Sequence, residues 1–307
     1  MLTNFAAEAL SGYPWPRHDV HEALYELLSD IQLTPEEIRR ASDCHNEVRA
    51  RLKGTLRGIK DDYLSGSYGR RTAITPLHDI DVIIVLDRDV RAALWRGAPV
   101  DTLRAMQAAL RDSFPNSELT PQKRSVRIRY RQLDVDLVPA FESEREGVLE
   151  IPDRRASSWL LTDPDAVIDE SPRLNQMNAN LLKPIVKILK KWRDIWDIRL
   201  SSFHLEMMIY SLGQFQRLEI DHALTETFAH LHRAVNGICP DPANPHIDLG
   251  DYLSPTERAD VTRRLAAAFG QAIEALRLAE SGNLVEAHNH WKNVFRDAYP
   301  RQYWRRE

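Results

Sequence analysis

Apolar and polar positions alternate with two different periods along this chain, and the switch between them divides it. Val20, Ala23, Leu24, Leu27, Leu28 and Ile31 recur at helical spacing, so one or two short helices are expected before residue 32. Thr34-Pro35-Glu36-Glu37 is a capping box with proline at the first helical position. Ile38, Ala41, Val48, Leu52, Leu56 and Ile59 carry the same period onward, which predicts one long helix reaching Ile59, roughly 40 Å at 1.5 Å per residue. The period then shortens. Tyr63-Leu64 reads as a strand, and Val82 to Leu86 is a β-branched apolar run of the kind a buried strand needs. Asp101 to Phe114 is amphipathic at helical spacing, with Pro99 and Pro115 beside it. Val126, Ile128 and Tyr130 then alternate with Arg127, Arg129 and Arg131 in a half-buried strand. That strand leads into a second Asp-bearing one at Leu133 to Val138, so the two are expected to be antiparallel neighbours. The arginine row faces either nucleotide or water, and spacing does not choose between them.

After residue 141 the pattern is mixed loop and short strand, and from residue 173 it is helical. Leu181, Ile185, Ile188, Leu189, Trp192, Ile195 and Trp196 form one stripe; Lys183, Lys187 and Lys190 share another face. Phe203 to Arg217 and Ile220 to Asn236 are two further helical segments. Cys239 to Pro245 is proline-rich loop. Ser254-Pro255-Thr256-Glu257 is a second capping box that opens a helix to about Ser281, and a last helix runs from Leu284 to Asp297. The expected division is a mixed α/β core over 1–165 and an all-helical lobe over 166–307.

Composition narrows the function. A chain of 307 residues with 43% hydrophobic positions can bury real cores. A formal charge of -4 argues against a surface built to grip long nucleic acid. Cys44 and Cys239 make neither a disulfide framework nor a zinc site by spacing. No apolar run approaches the ~20 residues of a membrane span, and the first residues lack a basic segment followed by an apolar core. The expected compartment is reducing cytoplasm, with no membrane partner.

The candidate chemistry lies in two acidic pairs. Asp79 and Asp81 are two apart at the leading end of a strand, so they point to one face. Two carboxylates beside apolar sequence repel and resist desolvation, which calls for a counter-charge. Hard oxygen ligands suit Mg²⁺, with Mn²⁺ a possible substitute. Asp134 and Asp136 repeat the arrangement. Ahead of the first pair, Gly66-Ser67 allows a tight turn and close backbone approach to a phosphate. Phosphate cradle, paired Asp and a third Asp on a later strand are the equipment of two-metal nucleotidyl transfer.

Gly66-Ser67-x-x-Arg70-x-Thr72-Ala73-Ile74-x-Pro76-x-x-Asp79-Ile80-Asp81 resembles the active-site signature of DNA polymerase β-like nucleotidyltransferases. Within them it most resembles the bacterial cGAS/DncV-like nucleotidyltransferases, the CD-NTases of CBASS anti-phage systems, relatives of oligoadenylate synthetase and cGAS. Asp136-Leu137-Val138-Pro139-Ala140-Phe141 resembles the third-carboxylate strand of oligoadenylate synthetase. The resemblance implies a polymerase β-like core with mixed β-sheet, a spine helix and a helical lobe. It makes Asp79, Asp81 and Asp136 the catalytic, metal-binding triad for two Mg²⁺ ions, and Gly66 and Ser67 binders of phosphate. Leu182 to Trp192 with Ser201-Ser202-Phe203 resembles the helical-lobe motif of the same relatives, which implies nucleotide contacts by Lys187, Lys190 and Ser202 and base stacking by Phe203. The implied reaction makes a cyclic di- or trinucleotide from NTPs, ATP among them. The implied partners are an activator protein of the defence operon and an effector reached through the diffusible product. A template-independent RNA polymerase of CCA-adding or poly(A) type shares the triad, and a nucleotide-binding regulator with silent chemistry is the alternative from another class.

Overall fold

The computed structural model describes residues 19–90, 98–154 and 157–303. Its elements are, in order, α1 (Asp19–Asp30), α2 (Pro35–Thr55), β1 (Ile59–Ser65), the single turn α3 (Gly66–Gly69), β2 (Asp79–Leu86), α4 (Pro99–Ser113), β3 (Leu119–Pro121), β4 (Val126–Tyr130), β5 (Leu133–Glu142), β6 (Leu149–Asp153), β7 (Ser158–Thr162), α5 (Pro164–Met177), α6 (Leu182–Ile195), α7 (Ser202–Tyr210), α8 (Ile220–Ala234), α9 (Pro255–Glu280) and α10 (Leu284–Phe295). Two short 3-10 turns, Arg296–Ala298 and Arg301–Tyr303, follow. The expected class, mixed α/β followed by helices, is what is found. The chain forms two compact units: Leu33–Glu170 with Asp241–Ile247, and the rest.

The first unit is a seven-stranded mixed sheet ordered β1-β2-β5-β4-β3, with β6 and β7 continuing from β5. Only β2 and β5 pair in parallel among the described strands. One sheet face carries Ile80, Val82 and Ile84 from β2, Val126 and Ile128 from β4, and Val135 and Leu137 from β5. Ala41, Cys44, Val48 and Leu52 of α2, and Leu103, Met106 and Leu110 of α4, cover it. Each such side chain is worth about 1.5–3 kcal/mol when fully buried. By the two-residue period of a strand, Asp79 and Asp81, Asp134 and Asp136, and Arg127 and Arg129 all project from the other face. There they adjoin a smaller cluster of Ile83, Val85, Ala140, Leu149 and Ile151.

Helix α2 starts where the sequence predicts: Thr34 Oγ1 accepts from the Glu37 amide and Glu37 reaches back to the Thr34 amide. It stops at Thr55, short of Ile59. Leu56 and Ile59 keep the apolar spacing because both still pack on the same core, one from a turn and the other from the start of β1. Pro99 lies inside α4, in its first turn, where its missing N–H leaves no bond unmade.

In the helical unit α1 packs on α6, α8 and α10, and His21 Nε2 meets the buried Asp221 Oδ1 at 2.9 Å. The apolar stretch 173–198 is two helices. Between them Ala179 and Asn180 take positive φ, and buried Asn178 bonds the carbonyls of Leu174 and Gly213 and the Phe215 amide. The helix expected to reach Arg217 ends at Tyr210. The second capping box, Ser254 with Glu257, forms as expected and opens α9.

Candidate active site

The parallel register sets Asp79 beside Asp134 and Asp81 beside Asp136. Neighbouring strands lie about 4.8 Å apart, so these four side chains crowd one patch of one sheet face. On the far side of β5, the antiparallel register sets Arg127 opposite Asp136 and Arg129 opposite Asp134. The Arg127 guanidinium donates to both oxygens of Asp136, Nε to Oδ1 at 3.0 Å and Nη2 to Oδ2 at 2.6 Å. It also reaches Asp134 Oδ2 at 3.3 Å and Asp79 Oδ2 at 3.5 Å. Arg129 holds Asp134, with Nη2 to Oδ2 at 3.1 Å. Arg127 and Arg129 therefore face the carboxylates, whereas Arg131, in the loop after β4, pairs with Glu47 of α2 at 2.9 Å. Bonding to Asp136 raises the Arg127 pKa above its usual value, so this charge is permanent.

Asp81 forms no ion pair among the described residues. Burial pushes its carboxyl up to about 6, helped by the negative charges of Asp79 and Asp136, while Arg70 and Arg127 pull the other way. Burial also raises Asp79, against the pull of Arg127. These groups want more positive charge than the protein gives them. In donor type they fit a hard divalent cation, and Asp81 and Asp79 have coordination capacity left. Among the described residues, however, no three acidic, His or Cys groups gather as a metal set. Arg127 is the group that lies across Asp136.

The turn at Gly66 is built against this corner. Ser65 pairs with Asp81 across β1 and β2, and Gly66 follows at φ +60°. A Cβ there would fall 1.8 Å from Asp81 Oδ2, so glycine is required twice over, by conformation and by space. Ser67 is half-buried in the turn, and its carbonyl accepts from the amides of Thr72 and Ala73 at 2.9 and 3.1 Å. The segment that returns to β2 is pinned by buried Glu37. Its Oε1 accepts from Thr75 Oγ1 and from the Leu77 amide at 2.9 and 2.8 Å. Burial raises the Glu37 carboxyl, but the bonds from Thr34, Leu77 and Thr75 prevail and hold it below the ordinary value. The residue that caps α2 thus also positions the approach to Asp79.

The other expected site residues lie in the helical unit. Lys187 is half-buried on α6; Nζ donates to Gln32 Oε1, and burial with the charges of Lys190 and Lys183 lowers its pKa to about 8. Ser202 opens α7, and its Oγ accepts from Arg193 Nη1 at 2.7 Å; Ser201 is the cap. Phe203 is half-buried beside it. Lys190 points elsewhere. It is 2% exposed and its ammonium is paired with Glu206, itself wholly buried.

His204, next along α7, is also buried. Burial lowers its pKa to about 4, with Arg258 adding to the effect and Asp248 opposing it. A histidine with a depressed pKa contributes stability that is present above 6.5, its unshifted value, and lost as pH falls towards 4. The loss approaches about 3 kcal/mol. His204→Gln should therefore melt closer to its neutral-pH temperature at about pH 5 than the wild type does. An equal acid shift in both would show that His204 titrates freely.

A profile of the "Second Messenger Oligonucleotide or Dinucleotide Synthetase domain" matches residues 19–175, just over half of the chain. The chain belongs to this family, the CD-NTases. A "Cyclic AMP-AMP-AMP synthase" of Acinetobacter sp. is 27% identical over 295 residues, covering 90% of this chain and 84% of that one. Among solved structures, Escherichia coli MS115-1 CdnC with ATP superposes with a TM-score of 0.73 at 20% identity, covering 91% of this chain and 98% of that one. The Bradyrhizobium diazoefficiens CD-NTase CdnG with GTP gives 0.70 at 16% identity, covering 90% and 99%. The fold is thus the CD-NTase fold, and the protein is a nucleotidyltransferase of the cyclic nucleotide synthase type. Membership of such a family implies use of a divalent cation.

Proposed function

We infer that this CD-NTase condenses NTPs, ATP among them, into a cyclic di- or trinucleotide that acts as a second messenger in anti-phage defence. The in-register pairing of Asp79 and Asp81 with Asp134 and Asp136, under the Gly66 turn, is the observation that carries this reading. The name of the Acinetobacter relative makes cyclic triadenylate the first product to seek.

Asp79, Asp81 and Asp136 would hold two Mg²⁺ ions, which when bound acidify the attacking ribose hydroxyl and neutralise the departing pyrophosphate. The chain's own residues do the rest. Gly66 and Ser67 shape the turn that receives the β- and γ-phosphates. In the helical unit, Lys187 would offer a cation to phosphate, Ser202 a hydroxyl, and Phe203 a ring to a base. The attacking oxygen forms its bond to the α-phosphorus, the bond to pyrophosphate breaks, and the hydroxyl proton leaves to solvent. Repetition, then attack of the free hydroxyl on the chain's own 5′ end, closes the ring. An E. coli CdnC complex with a HORMA protein supports an activator partner. No helix among the described residues is long and apolar enough to cross a membrane, which is compatible with a bacterial cytoplasmic enzyme.

The test supplies all four NTPs with Mg²⁺, with and without RNA. A phosphatase-resistant product made without RNA is expected. Product that appears only with RNA would replace this reading by a template-independent polymerase. Tight ATP binding without any product, even with the operon's partner proteins added, would make the chain a nucleotide-binding regulator.

A further inference from the structure

The structure gives Arg127 a place that the proposed reaction does not explain. A lone cross-strand Arg–Asp pair would be ordinary structure. Here one guanidinium spends two donors on Asp136 and also touches Asp134 and Asp79. The placement follows from backbone register, because Arg127 and Asp136 are directly opposed on β4 and β5. A cation that took Asp136 as a ligand would have to share its oxygens with Arg127 and accept a fixed positive charge at contact distance. Bidentate arginine–carboxylate pairs are among the strongest hydrogen-bonded pairs, so the contest is real. Arg127 has somewhere else to go: Asp134 already accepts from its Nη1 at 3.3 Å, and it is the carboxylate the proposed site leaves unused.

We propose that Arg127 is a displaceable counter-charge that holds Asp136 until a divalent cation takes it, and then moves onto Asp134. Arg127 sets the cation threshold of the site, and Asp134 is its parking place. This rests on Asp79, Asp81 and Asp136 being the cation ligands.

Mn²⁺ binding to the full chain, followed by the electron paramagnetic resonance of free Mn²⁺ with no nucleotide present, separates the two claims. Arg127→Gln should bind Mn²⁺ at least about fivefold tighter than the wild type, because a fixed like charge has gone. Arg127→Lys, which keeps the charge but not the fork, should lie between them and serves if the glutamine variant does not fold. Asp134→Asn should bind about threefold weaker or worse, since the displaced guanidinium loses its second partner. If Arg127→Gln, or Arg127→Lys in its place, binds Mn²⁺ no better than the wild type, whether both bind or neither does, the proposal is overturned. Asp136→Asn is the control on the underlying site. Should it bind Mn²⁺ as the wild type does, Asp136 is no ligand, and the assignment of the cation site fails instead.

Discussion

Asp81→Asn should stop product formation, with turnover falling at least about a thousandfold, while the protein melts no lower than the wild type. The first half follows from charge. An amide offers one neutral oxygen where the proposed cations need a charged carboxylate. The second half follows from the sign of the pKa shift. Burial and the neighbouring Asp79 and Asp136 raise the Asp81 carboxyl to about 6 from its unshifted 3.8. A carboxyl raised in this way favours folding below 3.8, and that contribution is lost as pH rises through about 6. At about pH 7.5 in EDTA the ionised Asp81 therefore opposes folding, and the amide relieves it. Asp136→Asn makes a useful contrast. It should be equally inactive, but it leaves Arg127 one neutral acceptor where the carboxylate offered two charged oxygens, and should cost about 1–3 kcal/mol of stability. Asp81→Asn with wild-type turnover would place the chemistry elsewhere.

The parts of this site that could be read from the chain are those in which one segment determines its own geometry. The β-branched run after Asp81, the two-residue spacing of each Asp pair and both capping boxes all formed as their local patterns require. What stayed hidden depends on pairing between segments. The target of Arg127 is fixed by the two-residue loop Arg131-Gln132, which pairs Tyr130 with Leu133 and hence Arg127 with Asp136. Both loop residues take positive φ, at 49° and 63°, without the Asn or Gly that usually signals such a turn, so nothing local announces the register. Lys190 was obscured in a similar way. Its spacing from Lys187 suggests a shared face, but Lys183 and Lys187 are half-buried whereas Lys190 turns inward to Glu206, sixteen residues on and in another helix. A lone buried acid in an apolar helix is the only local hint of such a pair. The capping role of Glu37 is local and legible in Thr34-Pro35-Glu36-Glu37; its second task, holding Thr75 and Leu77, is set by residues about forty positions away.

Gly66→Ala should lose about a hundredfold or more in turnover and about 1–3 kcal/mol of stability, two losses with separate causes. Stability suffers because φ +60° is a left-handed conformation that a Cβ disfavours. Turnover suffers because the new methyl would lie 1.8 Å from Asp81 Oδ2 and 2.7 Å from Cγ, so the carboxylate must swing away from its register with Asp136. Gly147→Ala tells the two apart. Gly147 also has positive φ, at 76°, but no atom lies within 4 Å of the Cβ position, and it belongs to a turn remote in register from the acidic pairs. It should pay the conformational cost and keep wild-type turnover. Melting temperatures and initial rates measured on both variants decide the matter. Equal stability losses with activity lost only at Gly66 would show that the glycine exists to let Asp81 stand where it does. If Gly66→Ala works at the wild-type rate, the close packing of the turn on Asp81 has no part in catalysis, and the turn needs glycine for its backbone alone.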